Sequence, residues 1–211
     1  MTVKMQELCT TSIIKLAGEK GAITPLIIEG ELTGGLGLMN PTILKDGDEW
    51  ITNVRNVSYT LHHCDPPNPK GCEQDGRFQT PWGPLNYVRP DEDPYLRTSN
   101  YIGYLNKGRG VERYHKIDTS RFPKMPEWDF VGHEDGRLMK WDDKLWFAGV
   151  RRHAPNGKGR MQMSQIELSP TGALECERHI IEVDDETSYC EKNWMPILDM
   201  PYHFVKWLNP L

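Results

Sequence analysis

Apolar and polar positions alternate in short runs along most of this chain, and no long stretch sustains a helical period. The runs fall at 49–61, 99–106, 111–118, 144–153, 160–168 and 174–183. Between them stand KDGD, NKGRG, KWDDK, PNGKG and SPTG, residue sets that favour tight turns. Strand runs punctuated this way predict an all-β protein. In the run 144–153, Leu145, Phe147 and Gly149 fall on one face and Trp146, Ala148 and Val150 on the other. Both faces are apolar, as expected of a strand covered from two sides. An ordinary β-sandwich, the competing architecture, would leave one face polar.

A repeated shape runs through the chain. Segments starting at Leu38, His133 and Glu191 each pass from a polar start to a short apolar strand, a turn, and a second strand carrying Trp or Phe. Strand pairs recurring in this way are the pattern of a β-propeller. In the middle unit the expected order is 137–141 innermost, then 145–153, 160–168 and 174–184 outermost. Innermost strands are also expected near 39–45 and 195–199. The first unit is longer, and its excess at 62–98 reads as a loop insertion over a binding face. Further strands are expected at 12–16 and 22–29. Residues 1–211 are read as one β-propeller domain, incomplete at about two and a half blades.

Charge and cysteine usage narrow the function classes. The chain has 211 residues, 25 Lys plus Arg against 30 Asp plus Glu, and a formal charge of −5. That balance argues against nucleic acid or an anionic membrane as partner. The N-terminal segment has neither a signal-peptide core nor a spanning run, so a cytoplasmic protein is expected. Five scattered cysteines predict free thiols rather than a disulfide framework. HHCDPPNPKGC, from His62 to Cys72, holds zinc-type ligands at a spacing that matches no common zinc motif, so no metal site is expected.

Asn40-Pro41, Glu134-Asp135-x-Arg137 and Glu191-Lys192-Asn193-Trp194, each opening one unit, resemble the five-bladed β-propeller glycosidases. The pattern is nearest to glycoside hydrolase family 130, the mannoside phosphorylases and their hydrolase relatives. The resemblance covers roughly residues 36 to 209. It implies cleavage of a mannoside-like bond by phosphorolysis, with inorganic phosphate as co-substrate, or by inverting hydrolysis, and no other cofactor. It also implies that Asp135 is the acid that delivers the proton. The family motif usually reads Glu-Asp-Pro-Arg; Gly136 here replaces the proline and is expected to loosen that turn. Five blades need well over 211 residues. The chain therefore resembles a first half, and self-association or a completing partner chain is expected.

The same residues suit sugar chemistry. Asn40, Glu134, Asp135, Arg137, Lys192 and Asn193 all stand at strand starts, where they would ring a pocket with hydroxyl-binding groups and an acid. Neighbours on an extended strand point to opposite sides, so Glu134 and Asp135 are not expected to share that pocket. Glu134 is assigned to supporting adjacent strands. Arg137, Arg151, Arg152, Arg160 and Lys192 are the cations available to phosphate. Hydrolysis would require a second carboxylate, for which Glu191, Asp91 and Asp93 are candidates. Trp50, Trp146 and Trp207 are expected to pack between strands, while Trp82 and Trp128 lie in loops where they could stack on sugars. The alternative function is a non-catalytic module that binds glycans or other subunits.

Overall fold

The computed structural model describes residues 15, 18–19, 21, 37–58, 60–62, 77–80, 83–88, 95–105, 111–122, 130–152, 156–182 and 188–206. They form a nearly all-β molecule. Lys15, Gly18 and Glu19 are helical, which corrects the expected strand at Lys15; the rest of 12–16 lies outside the described residues. The strand expected at 22–29, together with Trp82, Asp91, Asp93, Trp128 and Trp207, lies outside the described residues. Among the described residues no helix is long and apolar enough to cross a membrane.

Two antiparallel meanders dominate. The first runs β1 (Gly37–Asp46), β2 (Glu49–Val57), β6 (Leu96–Leu105) and β7 (Val111–Asp118). The second runs β9 (Glu134–Trp141), β10 (Lys144–Arg152), β11 (Gly159–Ser169) and β12 (Gly172–Ile180), the order expected for the middle unit. β12 pairs β7 in parallel at Ala173–Ile117 and Leu174–Asp118. At the other end β1 lies against β9, where the Leu138 amide donates to Thr42 Oγ1 at 3.4 Å. The eight strands thus form a nearly closed, barrel-like sheet.

Three smaller pieces complete the described chain. β3 (Thr60–His62), β4 (Arg77–Thr80) and β5 (Gly83–Val88) make a separate sheet inside the segment read as an insertion, between β2 and β6. β8 (Phe130–Val131) pairs β6 in parallel. β13 (Met195–Pro196) pairs β14 (Phe204–Val205) in the third unit.

Local chemistry explains the turns. Asp142 and Asp143, both at positive φ (50° and 59°), link β9 to β10 as the two central residues of a mirror-image hairpin turn. Gly47, at φ 60°, does the corresponding work between β1 and β2.

Both faces of β10 are buried, as its alternation predicts. Phe147 joins Ile51, Ile102, Leu138 and Ile166 in the core between the meanders. Trp146 and Ala148 join Met139, Trp141, Met161 and Trp194 in a second core toward the third unit. Trp50 corrects the packing expectation: it is 46% exposed, with Lys45 Nζ 5.9 Å from its ring centre. Leu38 and Ile43, also on the β1–β2 pair, are exposed as well. Met195, Leu198 and Met200 are exposed on the third unit.

Candidate functional site

The starts of the three units share one backbone feature. Asn40, Asp135 and Asn193 all adopt positive φ, at 46°, 51° and 62°. Strand pairing slips at the first two, between Met39 and Thr42 in β1 and opposite Gly149 in β9. Asn and Asp enter this region more readily than other non-glycine residues, which explains why those types open the units. A bulge at a strand head re-aims the side chain next to it.

The re-aimed groups converge on Arg55 of β2, which is 4% exposed. Its Nη1 donates to Asp135 Oδ1 at 2.6 Å and to Asn40 Oδ1 at 3.3 Å. Nε and Nη2 donate to Thr98 Oγ1 at 3.3 and 3.2 Å. Nη2 also lies 3.6 Å from Glu134 Oε2. From the third unit, Lys192 Nζ stands 3.9 Å from Asp135 Oδ2. Arg55 and Lys192 therefore tie all three unit starts together.

This geometry corrects the expectation that Glu134 and Asp135 point apart. Alternation holds for regular extended backbone, and positive φ at Asp135 interrupts it, so both carboxylates reach the same guanidinium. Their surroundings still differ. Burial pushes the Glu134 carboxyl above its ordinary value; Arg55 opposes the rise and the Asp135 charge adds to it. Glu134 Oε1 is buried without a hydrogen-bond partner.

Gly136 has a packing reason that the motif alone did not show. A Cβ placed there would lie 1.8 Å from Phe147 Cζ, so the aromatic ring occupies the space a larger residue would need. Gly149, opposite, has Glu134 O only 2.4 Å from its own hypothetical Cβ. These two glycines let β9 and β10 close on each other beside the acids.

The remaining expected residues divide. Arg137 has a buried Nε with no hydrogen-bond partner. Arg152 donates from Nη1 to Gly157 O at 3.3 Å and lies over the Phe130 and Tyr189 rings, at 4.6 and 4.9 Å. Arg160 is tied to the Gly159 and Ser188 carbonyls. Arg151 turns away from the unit starts: its Nη2 lies 3.3 Å from both oxygens of the fully buried Glu175. Glu191 is also committed, taking hydrogen bonds from Trp194 Nε1 at 3.1 Å and pairing with Lys206 at 3.1 Å. Burial alone would raise the Glu191 carboxyl, but hydrogen bonds from Lys206, Ser188 and Trp194 outweigh it and hold it below its usual value.

Two residues of this cluster, Arg55 and Thr98, were missed. The available signal was a single charged side chain in the otherwise apolar and amide-bearing run ITNVRNV. Among the described residues no group of three or more His, Cys, Asp or Glu side chains is placed to hold a metal ion.

Comparison with protein-family models, curated proteins and solved structures finds no match to the chain.

Proposed function

We propose that the chain is part of a five-bladed β-propeller of the glycoside hydrolase family 130 type, and that it cleaves a mannoside-like bond at the cluster around Asp135. The observation that carries this reading is the convergence of Asn40, Asp135 and Lys192, from three successive unit starts, on one buried arginine and one another. Such a cluster offers an acid, an amide and cations on rigid strand ends, the set a sugar ring and an incoming anion require. Asp135 faces the glycosidic oxygen and supplies its proton, directly or through a sugar hydroxyl. Arg55 and Lys192 hold its two oxygens in place, and Glu134 is a proton store beside it.

Phosphorolysis is favoured over hydrolysis. Glu191 is committed to Lys206 and Trp194, while Lys192 stands half-exposed beside the acid. In that reaction the anomeric C–O bond breaks as a phosphate oxygen bonds to the anomeric carbon from the opposite side. The proton goes to the departing oxygen. The products are a sugar 1-phosphate and a shortened glycan. The test is to incubate the full chain with inorganic phosphate and a panel of manno-oligosaccharides, following products by ³¹P NMR. A new phosphomonoester signal that requires both reagents is the expected result; sugar release without phosphate would point to hydrolysis.

The second reading is a non-catalytic module that binds glycans or subunits. It draws on the exposed Leu38, Ile43 and Trp50 at one edge and Met195, Leu198 and Met200 at the other, apolar surfaces suited to a partner chain or a second copy. Glycan binding without product, or an associated state that persists on dilution, would favour it.

A further inference from the structure

A second polar cluster, built on β10 and β12, lies in a cleft of about 860 Å³ between the two meanders, whose lining reaches the unit starts at His133 and Thr98. Its centre is Glu175, which is fully buried. Arg178 grips this carboxylate with a fork, Nε to Oε1 at 2.9 Å and Nη2 to Oε2 at 2.6 Å. Arg151 reaches both oxygens at 3.3 Å, and the Ser164 hydroxyl donates to Oε1. Burial alone would raise the Glu175 carboxyl, but these donors outweigh it and hold it below its usual value.

One carboxylate thus serves two guanidiniums, whose side chains are only 13% and 12% exposed. One positive charge is left over in a place where unbalanced charge is costly. Arg151 Nε is buried with no hydrogen-bond partner, so the donors are not used up by Glu175. Lys116 and Arg152 line the same cleft. The other acid there, Asp118, already accepts the Ser120 amide at 2.9 Å. Phe122, Phe147 and Ile166 provide an apolar wall, with Arg178 stacked over Phe122 at 4.2 Å.

We propose that this cleft binds an organic phosphate, its phosphoryl group held by Arg151, Arg178 and Lys116 and its body lying along Phe122, Phe147 and Ile166. A phosphomonoester brings up to two negative charges and three acceptor oxygens, which match a pair of planar guanidiniums and an ammonium better than a single carboxylate does. The volume leaves room for a group the size of a sugar. This site does not depend on the activity proposed for Asp135, from which it differs in every ligating residue.

The test is titration calorimetry of the full chain with glucose 6-phosphate, inorganic phosphate and, as neutral control, glucose. Glucose 6-phosphate is expected to bind with a dissociation constant on the order of 10 μM to 1 mM, and glucose not to bind. Lys116→Met and Arg178→Gln should each weaken binding about 10-fold, as expected for loss of a charge-assisted hydrogen bond. Glu175→Gln, which removes the negative charge that offsets the two guanidiniums, should tighten it. Lys116 is exposed, so its variant keeps the test open should Arg178→Gln fail to fold. Absence of saturable binding overturns the proposal, as does binding that is indifferent to all three substitutions. Binding abolished by Lys192→Met but not by Lys116→Met also overturns it, because the phosphate would then sit at the unit starts.

Discussion

The two buried ionic clusters invert the ratio of carboxylates to guanidiniums, with the half-exposed Lys192 adding a second cation at the unit starts. At the unit starts one guanidinium, Arg55, faces two carboxylates, Glu134 and Asp135. In the cleft one carboxylate, Glu175, faces two guanidiniums, Arg151 and Arg178. The consequences are opposite. In the acid-rich cluster burial pushes the Glu134 carboxyl up in pKa, which suits Glu134 to hold a proton there. In the cation-rich cluster burial lowers Arg151 to about 10, far enough above neutrality that it keeps its charge and calls for an anion. Similar residue types, inverted in ratio, therefore suit two different tasks.

Arg55 carries the largest share of the stability at the unit starts. Arg55→Met removes the guanidinium at the centre of two largely buried carboxylates and should destabilise the protein by about 3–5 kcal/mol. Adding Glu134→Gln should recover part of that loss. Glu175→Gln should cost less, about 1–3 kcal/mol, because the amide oxygen still accepts from the guanidiniums, although the NH2 group replaces the second acceptor with a donor. Urea unfolding of the three variants checks the ranking. Equal losses for Arg55→Met and Glu175→Gln would erase the asymmetry.

Next in size is Gly136. Its side-chain space is taken by Phe147, so Gly136→Ala should cost about 1–3 kcal/mol by overpacking. In a Phe147→Leu background, which removes the ring, the same change should cost much less. A double-mutant cycle with no coupling between these positions would show that the glycine is there for another reason.

The smallest effects sharpen the comparison through pH. Glu134 has a folded pKa above its ordinary 4.5. Its folded state keeps a proton that the unfolded chain gives up, so this contribution is full below pH 4.5 and is lost as pH rises through the folded value. His133 works the other way. Burial, with help from the Arg151 charge, holds it well below 6.5, so its stabilisation is present above pH 6.5 and falls as pH drops toward the folded value. Stability measured against pH should lose its decline above 4.5 in Glu134→Gln. A Glu134→Gln curve parallel to that of the parent would mean that folding does not shift this carboxyl.

Much of this architecture was readable in advance, and the failures have identifiable causes. Two-sided apolar alternation at 145–150 and the turn residues Asp142 and Asp143 were enough to order the four strands of the second meander, because strand period and turn sterics are local. Neither Arg55 nor the meeting of Glu134 with Asp135 was local. Arg55 finds Asp135 across 80 positions of sequence. The meeting of the two acids depends on a bulge that breaks the period-2 rule used to separate them. Gly136 read as a loosened turn only because its filler, Phe147, comes from the next strand. Arg151, grouped by sequence with cations for the unit starts, belongs instead to the inter-meander cleft.

Under the function proposed above, Asp135 transfers the proton in glycoside cleavage. Asp135→Asn keeps the size and much of the hydrogen bonding to Arg55 while removing the titratable proton. The decisive measurement is the rate of sugar 1-phosphate release by the parent and by Asp135→Asn, at saturating phosphate and equal folded concentration. A proton-transferring Asp135 should give a loss of about 10²–10⁴-fold, the usual reach of general acid catalysis, with the thermal midpoint nearly unchanged. Equal rates from the two proteins would contradict it and leave Asp135 as a structural partner of Arg55.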